Sequence, residues 1–415
     1  NGIQVHLTSK ACPTPVVSYN VRHLSASGAV IITASHNPGQ YNGFKIKESN
    51  AASASPEVVA DIEVRIAAVL EKGSVNSLPL AEAVERGVVR MFDPDPPYLT
   101  NLAGLLGPDR LDRLRQASLH VAVDSMYGAG SGYLRRLLRG GRLKTTELNG
   151  QRNPAFPGIQ PEPIQRNLTK LSKRMARGDV AVGLATDGDA DRLGVVDENG
   201  VFITQLQVYA ILAMYLLEAR GQRGAIIKTI TTSDMMYRLG EIFDCPVVET
   251  DVGFKYVGPE MIERDALIGG EESGGYGFRG HIPERDGILA GLYFLDFMVQ
   301  TGKTASQLVE YLYSKVGPHY YDRWDLLFPQ GQRDAIIQRV LEGQPQPVDG
   351  AAVEHKDRYH GDDGSVTGVR FRMGRGKWLL IRFSGTEPVL RVYAEAPSLE
   401  LVEALLSQGR KLTGL

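Results

Sequence analysis

Three aspartates stand at alternate positions in Thr186-Asp187-Gly188-Asp189-Ala190-Asp191-Arg192. Alternate residues of an extended segment share a side, so these carboxylates converge, and unscreened like charges oppose one another's ionisation. A hard divalent cation removes that conflict, and an all-oxygen donor set suits Mg²⁺. A solvated acidic turn is the competing reading. Arg192 follows at once, and a guanidinium there suits a phosphate bound beside such a metal. A second candidate is Thr33-Ala34-Ser35-His36-Asn37-Pro38, where a Ser hydroxyl stands on a turn among groups that hold an anion. The same hexapeptide also reads as an ordinary polar turn. Gly269-Gly270-Glu271-Glu272-Ser273-Gly274-Gly275 offers carboxylates between glycines, suited to sugar hydroxyls or simply to an acidic surface turn. Ile381-Arg382-Phe383-Ser384-Gly385-Thr386-Glu387-Pro388 has a guanidinium, two hydroxyls and free backbone N–H groups around a Gly. That is the composition of a phosphate cradle, or of a β-turn.

Each loop needs a strand or helix to aim it. Ala29 to Ile32 reads as a buried strand entering the Ser35 turn, followed by a helix from Ser55-Pro56 with Ser as N-cap and Pro in the first turn. Val58, Ile62, Ile66 and Val69 lie on one face of that helix. The tract Asp93-Pro94-Asp95-Pro96-Pro97 reads as a boundary. A second unit runs from the strand Leu119 to Asp124, through a Gly-rich turn and a basic helix, to the strand Val180 to Ala185 and the aspartate loop. A helix from Gln205 to Ala219, a strand at Gly224 to Lys228 and an apolar helix from Gly287 to Met298 frame the Glu271 loop. Beyond these, Val366 to Phe371, Trp378 to Phe383 and Val389 to Ala394 alternate as antiparallel strands do, and a C-terminal helix covers them. The elements point to α/β: three similar mixed α/β domains plus a C-terminal α+β domain with an antiparallel sheet, which the family resemblance carried by the four loops implies are arranged around a central cleft. The expected divisions are 1–100, 101–203, 204–318 and 319–415.

Composition excludes several classes. The 415 residues carry 46 Lys+Arg against 48 Asp+Glu, a formal charge of −2, so no general attraction draws the chain to nucleic acid or an acidic membrane. The most apolar helical stretch, Val208 to Leu217, is far short of the roughly 20 residues a membrane span needs. Two cysteines, Cys12 and Cys245, make no disulfide framework or metal motif, and they point to a reducing, cytoplasmic setting. The His residues are scattered without ligand spacing, and neither a complete dinucleotide fingerprint nor a triphosphate-binding loop occurs.

The four loops, in the order TASHNP with a following NGFK, DGDADR, GEESGG and RFSGTEP, closely resemble the α-D-phosphohexomutase superfamily of phosphoglucomutases and phosphomannomutases. The resemblance runs from Asn1 to the C-terminus. It implies a phosphoserine at Ser35 that also ligates one Mg²⁺ with Asp187, Asp189 and Asp191. His36 and Lys45 match positions lining the catalytic centre, Lys45 as proton shuttle or electrostatic partner of the phosphoryl group. Glu271 and Ser273 match sugar-hydroxyl contacts, and Gly253 and Lys255 a further substrate loop. Arg382, Ser384, Gly385 and Thr386 match the loop gripping the phosphate not being transferred, and Arg192 reaches a phosphate.

The implied reaction interconverts hexose 1-phosphate and hexose 6-phosphate through a 1,6-bisphosphate, with glucose 1,6-bisphosphate as activator. Sugar phosphates are its partners, without nucleic acid or membrane, in a monomer or homodimer. Glu272 favours glucose, since Gln or Met at that position marks amino-sugar or mannose branches; phosphomannomutase and phosphoglucosamine mutase are the alternatives. Outside the mutases, an acidic-loop phosphatase with an Asp nucleophile and a binding-only form remain open.

Two departures stand out. The family opens with a further strand and helix carrying a Gly-Thr-Ser-Gly-x-Arg-Gly loop that nothing here matches, so an N-terminally truncated chain with impaired activity is expected. Arg285 stands where some relatives have a Lys acid/base, and is expected to act as a fixed charge.

Overall fold

A computed structural model describes residues 2–361, 364–383 and 389–415, and the chain divides into two compact units. The first comprises Asn1–Ile230 with Phe243–Val309, and the second Thr231–Ile242 with Glu310–Leu415.

The first unit holds three α/β regions. In its N-terminal region Val5–Thr8 pairs in parallel with Val89–Phe92, while Gly28–Ile32 pairs antiparallel with Phe44–Glu48. These are separate two-stranded ribbons, which corrects the expectation of a buried strand before the Ser35 turn. Only Ile31 of that strand is buried; Val30 and Ile32 are 65% and 68% exposed, because the ribbon packs on one face alone. The helix Pro56–Glu71 starts as expected, with the Ser55 hydroxyl accepting from the Val58 N–H. Its apolar stripe covers no core, however, and none of its residues is buried. The Pro-rich tract opens the helix Asp95–Leu106, and Asp95 is buried against Lys10 and Arg136.

The second region is a five-stranded sheet in the order Lys144–Leu148, His120–Asp124, Val182–Thr186, Leu193–Val196, Phe202–Ile203. Its first three strands are parallel and the last two antiparallel. The third is a four-stranded sheet, Val247–Thr250, Ile226–Thr229, Ile268–Gly270 and the antiparallel Tyr276–Phe278. The long apolar helices expected here are present. Gln205–Met214 opens on a capping box at Thr204 and passes into a π-helical turn over Tyr215–Ala219, and Gly287–Thr301 is capped by Asp286. The central parallel strand Val182–Thr186 is buried throughout, whereas the edge strand Lys144–Leu148 is polar and partly exposed.

The second unit is an antiparallel five-stranded sheet in the order Tyr320–Leu327, Val389–Ala396, Trp378–Phe383, Val366–Arg372, His355–His360. The helices Arg333–Glu342 and Leu399–Thr413 close it over a core that includes Phe371, Leu379, Ile381, Val392 and Leu405. Alternation in these strands marks a sheet with one face on that core.

Candidate active site

Asp187, Asp189 and Asp191 occupy the tight connection between the strands Val182–Thr186 and Leu193–Val196, which pair antiparallel. All three are buried, and each offers a carboxylate oxygen within 4.8 Å of the others. Two cations hold the outer oxygens. The Lys45 ammonium lies 2.7 Å from Asp189 Oδ2 and 3.1 Å from Asp191 Oδ2, and Arg285 donates to Asp191 Oδ2 at 2.7 Å. The Arg192 N–H donates to Asp187 Oδ1 at 3.1 Å, while its guanidinium Nε lies 3.9 Å from Asp187 and Asp191. Among the described residues, no hydrogen-bond donor reaches the buried Asp189 Oδ1 and Asp191 Oδ1 atoms. Leaving a buried carboxylate oxygen unpaired is costly. Convergent, donor-free oxygens on a hard-ligand set therefore fit a divalent cation.

The electrostatics agree. Burial, then the neighbouring Asp191 and Asp189 charges, push the Asp187 carboxyl well above the usual carboxylate range. Burial works against the Asp191 anion too, but Arg285, Lys45 and Arg192 outweigh it and hold that carboxyl below its ordinary value. Burial likewise opposes the Lys45 ammonium, yet Asp191 and Asp189 keep its pKa above the ordinary lysine value.

Ser35 approaches this cluster from the ribbon. Its φ of 54° lies in the left-handed region, uncommon for a residue with a Cβ and a mark of a turn held by its surroundings. The Ser35 N–H donates to Thr33 Oγ1 at 2.9 Å, and the Ser35 hydroxyl donates to Asp187 Oδ2 at 3.2 Å. Gly188 allows the approach, because a Cβ there would stand 2.3 Å from the Ser35 carbonyl oxygen. His36 sits beside them with a buried Nδ1 that has no partner among the described residues. Burial and the nearby Arg192 lower its pKa to about 4, so the ring is neutral at physiological pH.

Arg285 connects the aspartate loop to the Glu271 loop, since its guanidinium also contacts Glu271 at 3.2 Å and Glu284 at 3.3 Å. Glu271 is buried, which raises its pKa, and the buried Ser273 hydroxyl has no partner among the described residues. The Leu193 N–H donates to the Gly274 carbonyl at 2.9 Å, seating this loop on the strand that leaves Arg192.

Ser35, Lys45, Asp187, Asp189, Asp191, Arg192, Glu271 and Arg285 thus form one connected cluster. Gly253 and Lys255 lie elsewhere: Gly253 precedes the helix Phe254–Glu263, and exposed Lys255 stands over the Tyr256 ring beside a groove lined by Glu48, Ser53, Ser55 and Glu263. Arg382 lies half-buried on the strand Trp378–Phe383 of the second unit. Ser384, Gly385 and Thr386 fall outside the described residues.

Sequence reasoning missed several members. Buried Thr14 donates through its hydroxyl to Asp189 Oδ2 at 2.7 Å and through its N–H to the Asp189 carbonyl at 3.0 Å. A Thr between Pro13 and Pro15 at a helix start was the available signal. Lys47 and Glu284 form a fully buried ion pair that Ser53 completes, with no local pattern to announce it. Glu162 reaches Arg192 at 3.4 Å from a distant loop.

Comparison with known proteins yields four family matches along the chain. Phosphoglucomutase/phosphomannomutase alpha/beta/alpha domains I, II and III match residues 1–72, 96–200 and 205–316, and the C-terminal domain of the same family matches 338–411. A phosphoglucomutase/phosphomannomutase of Thermococcus kodakarensis is 32% identical over 400 residues, covering 96% of this chain and 81% of its own. A phosphoglucosamine mutase of Leuconostoc mesenteroides is 32% identical over 392 residues, covering 94% and 78%. Among solved structures, a putative phosphomannomutase from Thermus thermophilus superposes with a TM-score of 0.83 at 34% identity, over 100% of this chain and 84% of that one.

Proposed function

The chain belongs to the phosphoglucomutase/phosphomannomutase family and is a hexose-phosphate mutase, an isomerase; from that premise we propose a glucose-preferring enzyme that works through a phosphoserine at Ser35. The observation that carries this reading is the Ser35 hydroxyl, 3.2 Å from Asp187 within the buried triad.

Phosphorylated Ser35 gives its phosphoryl group to the 6-hydroxyl of glucose 1-phosphate. The Oγ–P bond breaks, the O6–P bond forms, the O6 proton leaves and Oγ is reprotonated. The resulting 1,6-bisphosphate turns over, and its C1 phosphate returns to Ser35, releasing glucose 6-phosphate. Free glucose 1,6-bisphosphate activates by phosphorylating the serine. Asp187, Asp189 and Asp191, with the Ser35 phosphate, would hold one Mg²⁺, which neutralises phosphoryl oxygens when bound. Lys45 and Arg192 supply fixed positive charge at the reacting group, and His36, neutral, lines the pocket. Glu271 and Ser273 take sugar hydroxyls, Lys255 and the backbone at Gly253 serve the substrate's far side, and Arg285 orders the carboxylates. Arg382, Ser384, Gly385 and Thr386 grip the phosphate that is not reacting, which puts remote binding energy to catalytic use. The proposed domains are 1–100, 101–203, 204–318 and 319–415, and unpaired Cys12 and Cys245 support a reducing, cytoplasmic setting.

Intact mass before and after glucose 1,6-bisphosphate, with peptide mapping, tests the central step. One phosphate on the Ser35 peptide is expected, and Ser35→Ala should lose both the phosphate and the mutase rate. A Ser35 never phosphorylated under turnover overturns the reading. Rates on glucose, mannose and glucosamine 1-phosphates test the preference, which Glu272 supports; faster turnover of glucosamine 1-phosphate would overturn it.

A further inference from the structure

Away from the reacting groups, the segment 281–287 contains a buried polar network that the proposed chemistry does not use. His281 Nε2 lies 2.8 Å from Asp286 Oδ2, and the Tyr98 hydroxyl donates to the same oxygen at 2.8 Å. Asp286 Oδ1 accepts the N–H groups of Ile288 and Leu289 at 2.9 Å each, capping the helix Gly287–Thr301. The Asn101 amide donates to His281 Nδ1 at 3.0 Å, which places the ring proton on Nε2, facing Asp286. Arg22 donates to the His281 carbonyl at 2.8 Å, and Tyr19 stacks on the ring. Tyr98 and Asp286 are 0% exposed and His281 5%, so these bonds lie in the protein interior and are made between protein groups.

Arg285 stands directly before Asp286. Its backbone is tied on both sides, by its own N–H to Glu284 Oε1 at 2.9 Å and by the Asp286 N–H to the Tyr276 carbonyl at 2.9 Å. The Gly287 N–H donates to the Ala190 carbonyl at 3.2 Å, and a Cβ on Gly287 would stand 2.3 Å from the Arg192 carbonyl. The segment therefore lies against the aspartate loop with no slack, and any rotation at Asp286 swings the Arg285 side chain away from Asp191 and Glu271.

We infer that Tyr98, His281 and Asp286 form a positioning network that aims the Arg285 guanidinium onto Asp191 and Glu271, so that the N-terminal region sets the geometry of the reacting cluster. This rests on the function proposed above only for its kinetic readout. A carboxylate locked by two side-chain donors and a helix N-terminus is rigid, as a group steering a charge in a reaction must be.

The test compares Tyr98→Phe, His281→Leu and His281→Gln, the last keeping a donor at the Nε2 position. Tyr98→Phe and His281→Leu should lower kcat about tenfold while KM stays within about twofold, and His281→Gln should recover most of the loss. In an Arg285→Met background His281→Leu should cost less than about twofold, because the charge it steers is gone. Equal losses in His281→Gln and His281→Leu, or losses that multiply with Arg285→Met, overturn the inference. A crystal structure of His281→Leu gives a readout independent of activity. Arg285 should leave hydrogen-bond range of Asp191, and an unmoved contact at 2.7 Å overturns the network's role whatever reaction the parent chain performs. A parent chain without mutase turnover whose His281→Leu structure does show Arg285 displaced overturns the function alone.

Discussion

Replacing Lys47 by Met tests whether the buried pair with Glu284 carries the stability its geometry implies. Both side chains are 0% exposed, and Glu284 also accepts from Ser53 at 2.9 Å. Burial alone would raise the Glu284 pKa; Lys47, and after it Arg285, reverse this and hold it at about 2 against an ordinary 4.5. That interval amounts to roughly 3 kcal/mol favouring the ionised carboxylate in the folded chain. Because the folded value is depressed, the contribution is complete above pH 4.5 and is lost as pH falls through about 2. Lys47→Met keeps the length and volume but removes the cation that contributes most, leaving Arg285 at 3.3 Å, so a loss of up to about 3 kcal/mol is expected at neutral pH, the usual size for breaking a buried pair from one side.

Urea unfolding followed by far-UV circular dichroism reads the loss. With a slope of about 3 kcal/mol/M the midpoint should fall by up to about 1 M. Tryptophan fluorescence is the wrong probe, since Trp324 and Trp378 both belong to the second unit. Adding Glu284→Gln to Lys47→Met removes the stranded charge and should recover part of the stability. A loss under about 1 kcal/mol, the worth of a surface pair, would refute the reasoning. So would a double variant as unstable as the two single losses summed.

Two further perturbations probe other parts of the chain. Gly188→Ala places a Cβ 2.3 Å from the Ser35 carbonyl oxygen and must displace the serine turn; a fall in kcat of about 100-fold is expected, and an unchanged rate means the turn is not held there. For His319, burial lowers the pKa but the hydrogen bond and charge of Glu395, 2.8 Å away, prevail and raise it above 6.5. Its stabilisation is thus complete below pH 6.5 and fades as pH rises through the folded value. Tryptophan fluorescence of the second unit should show this alkaline loss in the parent and not in His319→Gln; parallel slopes in the two would sink the argument.

What was legible in the sequence was local. Strict alternation announced the convergence of Asp187, Asp189 and Asp191, and a Ser-Pro step announced the helix at Pro56. The apolar helices and antiparallel strands followed from periodicity, which depends only on neighbours along the chain. The misses were non-local. The apolar pattern of Pro56–Glu71 marks a helix correctly but says nothing about whether another layer covers it, and none of its residues is buried. Thr14 meets Asp189 across 175 positions and Lys47 meets Glu284 across 237, distances over which residue type and spacing have no reach. The π-helical turn at Tyr215 aims that hydroxyl at Asp296, 2.7 Å away, a tertiary preference that helical periodicity does not encode.

The glycine contacts at the reacting cluster also govern how such a protein can be altered. At Gly188 and Gly287 the loops meet main chain to main chain, and at Gly39 and Gly194 a Cβ would stand 2.6 Å from the carbonyl oxygens of Pro154 and Pro163. Backbone abutments do not depend on which side chains fill the cores behind them. For a designer this separates the chain into fixed joints and free surfaces. On the function proposed above, attempts to retune the sugar preference belong at 271–273, and the four glycines are best left untouched.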